Sequence, residues 1–196
     1  MFFIQVGSHT GQTNNDHVKK WIQRNWSGIL IEPVKYLFEK LKSFNTGNDN
    51  LIFENVAIDV KSGKRTLYRI DENRLTGLPG YADQLGTFLP DTMRKWPFAN
   101  RAIEEEVECM TFVQLIEKHN VKKVDLLAID VEGMDYIILR TFPFHRIKPQ
   151  KLIYEIRHLP PEDKQESISF IQEHGYTDIT EDKDDIHARI PVPYLL

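Results

Sequence analysis

The 196-residue chain is poor in several things, and each shortage excludes a class of protein. Its single cysteine, Cys109, rules out an intramolecular disulfide, and nothing in the composition points to an oxidising compartment. No apolar run approaches the ~20 residues needed to span a bilayer. The opening Met1-Phe2-Phe3-Ile4-Gln5-Val6 is too short for the core of a signal peptide and has no basic lead. A cytoplasmic protein is therefore expected. Basic excess is missing too: the formal charge is −4, and the densest early cations, Lys19, Lys20 and Arg24, lie close to Asp16 and Glu32. A nucleic-acid binder usually presents a clustered basic face, so no nucleic-acid partner is expected. Internal repeats, low-complexity tracts and linkers are absent. What remains is an ordinary globular balance, 41% hydrophobic and 28% charged, which permits one full core and a single domain over residues 1–196.

The apolar pattern reads as alternating strands and helices. Phe2–Val6 is a short apolar run ending at Gly7, and Gly7-Ser8-His9-Thr10-Gly11 is a loop. A helix follows with Val18, Trp21, Ile22 and Trp26 on one face, ended by Gly28. Ile29-Leu30-Ile31 is a second strand closed by Glu32-Pro33, and Leu37, Leu41 and Phe44 mark a second helix before a third strand, Leu51–Ile58. This order is half of a doubly wound α/β fold with a parallel sheet. Lys64–Ile70 alternates like an extra strand. From Asp71 to about Ile103 periodicity fails, although Tyr81, Phe88, Trp96 and Phe98 are scattered through it; a long aromatic-bearing insert reads as a lid or acceptor-binding loop. Regular pattern returns with a short strand at Glu106–Met110, a capping box of Thr111 and Gln114 before a helix, and the most apolar strand, Val124–Ile129. Asp135–Phe142 reads as a helix and Leu152-Ile153-Tyr154 as a strand. Glu162–His174 reads as a helix with Ile168 and Ile171 inward, stopped by Gly175. Tyr176–Thr180 and His187–Val192 read as a terminal antiparallel hairpin.

Three apolar strands end in a carboxylate: Glu32, Asp130 and Glu155. In an open parallel sheet the ligand sits beyond the carboxyl ends of the strands, so these groups are expected to converge on one crevice. One such residue alone reads more readily as a helix N-cap; three, with a glycine loop after the first strand, favour a site. The loop Gly7-x-x-x-Gly11 is not the dinucleotide pattern G-x-G-x-x-G. Glu32 follows it by about 20 residues, where an acidic group typically accepts ribose hydroxyls. That pairing suits any adenosine-containing ligand without separating a nicotinamide cofactor from S-adenosylmethionine.

The block Asp130-Val131-Glu132-Gly133-Met134-Asp135 after its buried strand makes the separation. With it stand Phe3-Ile4-Gln5-Val6-Gly7 and Gly11, Ile31-Glu32-Pro33, Phe53-Glu54-Asn55-Val56-Ala57-Ile58, Lys148-Pro149, His158-Leu159, Gly175-Tyr176, and Asp185 with Ala188. In order and spacing these blocks resemble the FkbM-type S-adenosylmethionine-dependent methyltransferases over nearly the whole chain. The resemblance implies a Rossmann-like α/β methyltransferase fold, a mostly parallel sheet of order 3-2-1-4-5-7-6 flanked by helices, and S-adenosyl-L-methionine as donor. It implies that Gly7, Ser8 and Gly11 line the methionine and ribose side, and that Glu32 with Pro33 holds the ribose. Asn55 and Ala57 then border the adenine, Asp130 faces the methionine end, and Glu132 and Gly133 floor the methyl group. Asn15 and Asp16 match a family position near the first helix, and Thr87-Phe88 resembles the family's serine-phenylalanine loop that closes over the site. Gln5 stands where many members carry Asp, and Ser8-His9 replaces a commoner alanine-asparagine pair; His9 touches the donor or, preferably, caps the following helix. The chain starts at the first strand, which leaves more of the enclosing to the insert.

The resemblance points to O-methylation of a sugar or other hydroxylated metabolite, hence a small-molecule or glycan acceptor. A hydroxyl acceptor needs a base, for which Asp130, Glu132, Glu155 and His158 are the candidates, His158 being either in the cleft or on a surface loop. Asp130 and Glu155 jointly holding a hard cation is an option, but no metal is assigned. The remaining histidines, His17, His119, His145, His174 and His187, show no metal-ligand spacing. Tyr81, Trp96 and Phe98 can stack on an acceptor ring, and Arg74, Arg94 and Arg101 can meet an anionic one; lid packing and surface charge are the alternatives. A non-catalytic adenosyl-binding module and an NAD-type oxidoreductase stay open as other readings.

Overall fold

The computed structural model describes residues 1–13 and 16–191. Seven strands form one sheet: β1 (Phe2–Val6), β2 (Ser27–Ile31), β3 (Leu51–Glu54), β8 (Leu126–Ile129), β9 (Lys151–Glu155), β10 (Asp178–Glu181) and β11 (Asp185–Arg189). Their spatial order is β10-β11-β9-β8-β1-β2-β3. Counted within this sheet alone, that is the expected 3-2-1-4-5-7-6. The strands from β3 to β9 run parallel, and β11 and β10 return antiparallel. The helices are α1 (Lys19–Ile22), α2 (Lys35–Phe44), α3 (Pro90–Arg94), α4 (Phe112–Lys118), α5 (Asp135–Arg140) and α6 (Pro161–Glu173). This is the Rossmann-like arrangement, a mostly parallel sheet flanked by helices, that the resemblance implies. Among the described residues no helix is long and apolar enough to cross a membrane.

Strand alternation divides the core. Ile4, Ile29, Ile31, Leu127 and Ile129 pack toward Phe112, Leu115, Ile138 and Ile171 on one face, while Phe3, Leu30, Leu126 and Ala128 meet Val18 and Leu41 on the other. All four residues of β8 are fully buried, which is why its sequence is an unbroken apolar run.

Several expectations are corrected. Gly28 lies inside β2 rather than ending a helix. It faces Phe3 across the ladder, and a Cβ there would fall 2.5 Å from the Phe3 ring. Gly28→Ala is therefore expected to cost about 1–3 kcal/mol of unfolding free energy in urea, from overpacking alone, and Phe3→Leu in the same chain to recover part of it. The first helix is a single turn, because Asn25 takes a left-handed φ of 62° and Trp26 turns back to stack on Trp21, with ring centroids 4.4 Å apart. Leu37, Phe38 and Leu41 are the buried side of α2, and Phe44 is exposed. Val192, at the end of the expected hairpin, lies outside the described residues, as does Asn15.

The expected strand Leu51–Ile58 is two strands in different sheets. β3 ends at Glu54, and β4 (Ala57–Ile58) joins a second sheet of order β4-β7-β5-β6 with β5 (Gly63–Ile70), β6 (Gly86–Thr87) and β7 (Ala102–Met110). Glu54 is held by Lys118 and by His119, whose Nε2 lies 2.5 Å from its Oε1, so the chain is anchored where the first sheet stops. β7 is longer than the expected Glu106–Met110 and pairs along all of β5. The irregular stretch shrinks to about residues 71–101 and contains β6 and α3.

Candidate active site

Register decides where the strand tips fall. Val6 is level with Ile31 and Ile129, Ile31 with Glu54, and Ile129 with Tyr154. The residues that follow, Gly7, Glu32, Asn55, Asp130 and Glu155, therefore share one line across the carboxyl end of the sheet. Over that line lies a cavity of about 1100 Å³, roofed by Leu67 and Arg69 of β5, Thr87 of β6 and parts of the insert.

Of the residues expected at the site, Gly7, Ser8, Asp16, Glu32, Pro33, Ala57, Asp130, Glu132, Glu155 and His158 line this cavity. Gly11, Asn55 and Gly133 lie behind that wall. A Cβ on Gly11 would sit 2.9 Å from Leu41, so this glycine lets the loop lie against α2. Asn55 donates from Nδ2 to the carbonyls of Glu32 and Pro33, 2.9 Å each, fixing the end of β2. Gly133, at φ 97°, backs onto His158.

The glycine loop is bonded inward. Gly7 and Ser8 both donate their amides to the Ile31 carbonyl, Gly11 donates to Ser8, and the His9 amide donates to Glu32 Oε2 at 2.8 Å. The Ser8 hydroxyl accepts from the Ile31 amide at 3.0 Å and is buried. Ser8 thus meets the cavity chiefly as scaffold. Glu32 also accepts from the Val34 amide through Oε1 at 2.9 Å. Burial pushes its carboxyl up to about 7, against the pull of these backbone donors and of His9. Each of its oxygens keeps a further lone pair for a ligand hydroxyl.

Asp16 caps α1, its Oδ1 accepting from the Val18 and Lys19 amides at 2.9 and 2.7 Å. That is the capping role expected of His9. His9 itself, at a left-handed φ of 47°, lines the cavity with Nε2 3.5 Å from Asp83 of the insert. Thr87 donates its hydroxyl to the Glu132 carbonyl at 3.1 Å, so the insert is tied to the site at two points. Of the aromatics, Tyr81, Phe88 and Trp96 line the cavity, whereas Phe98 packs on Tyr81. None of the three arginines singled out lies on the wall: Arg94 pairs with Asp91, and Arg101 donates to the carbonyls of Arg74 and Thr76. Arg69, Lys95, Arg157 and Lys183 are the cations there.

Acid dominates around Asp130. Its carboxyl opens onto the cavity but is otherwise enclosed by protein, and burial, reinforced by Glu132 and Asp185, pushes it up to about 7. Glu155 goes further, to about 10, through burial and then Asp130. Asp135, fully buried, is pushed well above the usual carboxylate range for the same reasons. His158 sits in the cleft, its Nε2 3.1 Å from Glu132 Oε2. Sequence reasoning missed Gln5 as a wall residue; it is buried, faces the cavity, and its Oε1 finds no donor among the described residues. The available signal was its place two residues before the turning glycine, on the strand that opens the site.

Residues 5–177 match the methyltransferase FkbM domain. No curated protein matches the chain. Among solved structures, it is similar to the Methanococcus jannaschii fibrillarin pre-rRNA processing protein, at 13% identity and a TM-score of 0.47, over 95% of this chain and 64% of that one. The chain thus spans under two thirds of that relative's length. A fibrillarin/Nop5p complex gives 14% identity and a TM-score of 0.48, over 97% of this chain and 72% of the other. The precorrin-6y C5,15-methyltransferase from Geobacter metallireducens gives 9% and 0.45, over 96% and 76%.

Proposed function

We propose, from the premise that this chain belongs to the methyltransferase FkbM domain family, that it carries the methyl group of S-adenosylmethionine to a hydroxyl of a sugar or other small metabolite. One observation carries the choice of donor: the amides of Gly7, Ser8, His9 and Gly11 in the glycine loop are spent inside the protein, and the cavity wall beside it is acidic. A dinucleotide needs free amides for its pyrophosphate and suffers from nearby carboxylates. An adenosyl sulfonium carries positive charge and no phosphate, and it suits such a wall.

The residues present fit that donor. Gln5 Oε1 is a buried acceptor without a donor among the described residues, and an ammonium such as that of the methionine end suits it. The spare lone pairs of Glu32 suit the ribose hydroxyls, and Ala57 and Pro33, on the same wall, offer apolar surface to the base. When bound, the donor supplies an activated methyl group, displaced in line from sulfur. The protein's part is then alignment and exclusion of water, which the insert serves through Thr87 and His9. Asp130, Glu132, Glu155 and His158 line the same cavity, and on this reading they are the groups that take the proton of the acceptor hydroxyl.

Calorimetry with S-adenosylmethionine, S-adenosylhomocysteine and NAD tests the donor. Both adenosyl ligands are expected to bind and NAD not to; binding of NAD alone overturns the reading. Acidity sharpens the test. Glu32 titrates near 7 in the folded protein, so its ionised, accepting form prevails above that pH and is lost below it. S-adenosylhomocysteine is expected to bind roughly tenfold more weakly at pH 6 than at pH 8, and Glu32→Gln to remove most of that dependence. Labelled donor incubated with a panel of hydroxylated acceptors separates an enzyme from a binding module.

A further inference from the structure

Among the described residues, three groups of acidic and histidine side chains around the cavity bring one ligand atom each within 4.8 Å of the others: Glu132–Glu155–His158, Asp130–Asp135–Glu155 and Asp182–Asp185–His187. Two of them are occupied with folding. Asp135 accepts the amides of Val131 and Gly133, and Asp182 accepts those of Asp184 and Asp185 as well as contacting His187. The first group has no such duty. Glu155 is only 9% exposed, yet among the described residues its Oε2 has no hydrogen-bond donor, and neither has Glu132 Oε2. His158 Nε2 approaches Glu132 Oε2 to 3.1 Å without the alignment of a hydrogen bond. Two donor atoms sharing one ion, at about 2.0–2.2 Å from it, stand about that far apart.

Backbone strain points the same way. Glu132 holds a left-handed φ of 53°, costly for a residue with a side chain, between the Asp135 bonds below and the Thr87 hydroxyl above. The turn forces this carboxylate toward Glu155 and His158 instead of solvent.

We propose that Glu132, Glu155 and His158 bind a first-row divalent cation of the Mn²⁺ or Zn²⁺ class, which takes the acceptor hydroxyl as a further ligand; the role, though not the binding, rests on the methyltransferase reading above. Two carboxylates with one imidazole suit such ions better than Mg²⁺ or Ca²⁺, which prefer oxygen alone. Three protein ligands leave positions open for the acceptor. The bound hydroxyl is acidified. Its oxygen forms the new bond to the methyl carbon, the carbon–sulfur electron pair leaves with sulfur as a neutral thioether, and the hydroxyl proton passes to Asp130, which lines the same cavity.

The test uses the full chain stripped with chelator. Mn²⁺ is titrated while the resonance of the free ion is followed, and Zn²⁺ is titrated by calorimetry. Uptake of one ion per chain is expected, weakened at least about tenfold by Glu155→Gln and by His158→Asn and unchanged by Asp182→Asn. Thermal melts identify any variant that fails to fold, and the half-exposed His158 provides the variant least exposed to that outcome. Absence of uptake up to about 1 mM free metal overturns the proposal, as does uptake lost in Asp182→Asn but kept in the other two variants. S-adenosylhomocysteine is titrated into the same samples. Donor binding without metal uptake refutes the metal site alone, and metal uptake without donor binding refutes the methyltransferase reading alone.

Discussion

Gly7→Ala is expected to destabilise the protein by about 3–5 kcal/mol and to abolish measurable donor binding. Two costs add at this position. Its φ of 80° is a left-handed conformation, worth about 1–2 kcal/mol against any residue with a Cβ. The Cβ would also stand 1.8 Å from the carbonyl oxygen of Asp130, which is backbone and has no rotamer to escape into. The tips of β1 and β8 are held together here by the Asp130 amide donating to Val6, 3.0 Å, and the Gly7 amide is committed to Ile31 at 3.1 Å. Making room means parting the two strands whose ends form the site. Gly47→Ala separates the costs, because Gly47 has the same φ of 80° with no atom within 4 Å of its Cβ position. Urea denaturation is expected to give about 1 kcal/mol for Gly47→Ala and several times that for Gly7→Ala. Equal losses would show that conformation alone accounts for Gly7, and that the strand tips do not depend on this close approach.

What was legible in the sequence was whatever burial writes as a pattern. β8 and the tips at Glu32, Asp130 and Glu155 were readable because uninterrupted apolar runs end there, and parallel register then brings their ends level. The sheet order was not written there: it followed from the family resemblance, while the capping box was readable from the spacing of Thr111 and Gln114. β7 was half-hidden because Glu104, Glu105, Glu106 and Glu108 disfavour a strand by propensity. Its partners supply what propensity lacks: Glu105 meets Arg69 across the ladder, and Glu106 meets Lys64 at 2.7 Å. The division of Leu51–Ile58 between two sheets was invisible, since both parts are apolar and only tertiary bonds to Glu54 and Asn55 mark the break. At the cavity, sequence marked the loop and the turn that border it but not which atoms face inward. Ser8, Gly11 and Asn55 spend their chemistry on the scaffold, while Gln5 and His9 face the cavity. A lone pair already accepting a backbone amide reads the same in one dimension as a free one.

Asp135→Ala is expected to be the most damaging side-chain truncation near the site. Asp135 opens α5 with no exposure to solvent, its Oδ1 accepting the Val131 amide at 3.1 Å and its Oδ2 the Gly133 amide at 3.2 Å. Glu132, between those amides, and Gly133, which carries the second, hold φ 53° and 97°, which extended or helical backbone does not adopt. Truncation leaves two amides without their acceptor in a site closed by Met134, Tyr136 and Ile138, all buried. At about 1–3 kcal/mol for each orphaned group, a loss of about 3 kcal/mol in urea denaturation is expected. Asp135→Asn keeps an acceptor for one amide but turns an NH₂ toward the other, so it is expected to fall between alanine and wild type. Function should suffer unequally. Glu32 and Gln5, assigned to the adenosyl and methionine ends, sit on other strands and keep their positions. Glu132 loses the turn that aims it, and a displacement of ~1 Å at the reacting centre costs on the order of 100-fold in rate. Transfer is therefore expected to fall by about that factor in Asp135→Asn, with S-adenosylhomocysteine affinity changed several-fold at most. A variant as stable as wild type, or one that loses donor affinity and transfer in equal measure, would mean that this buried carboxylate does not hold the turn for chemistry.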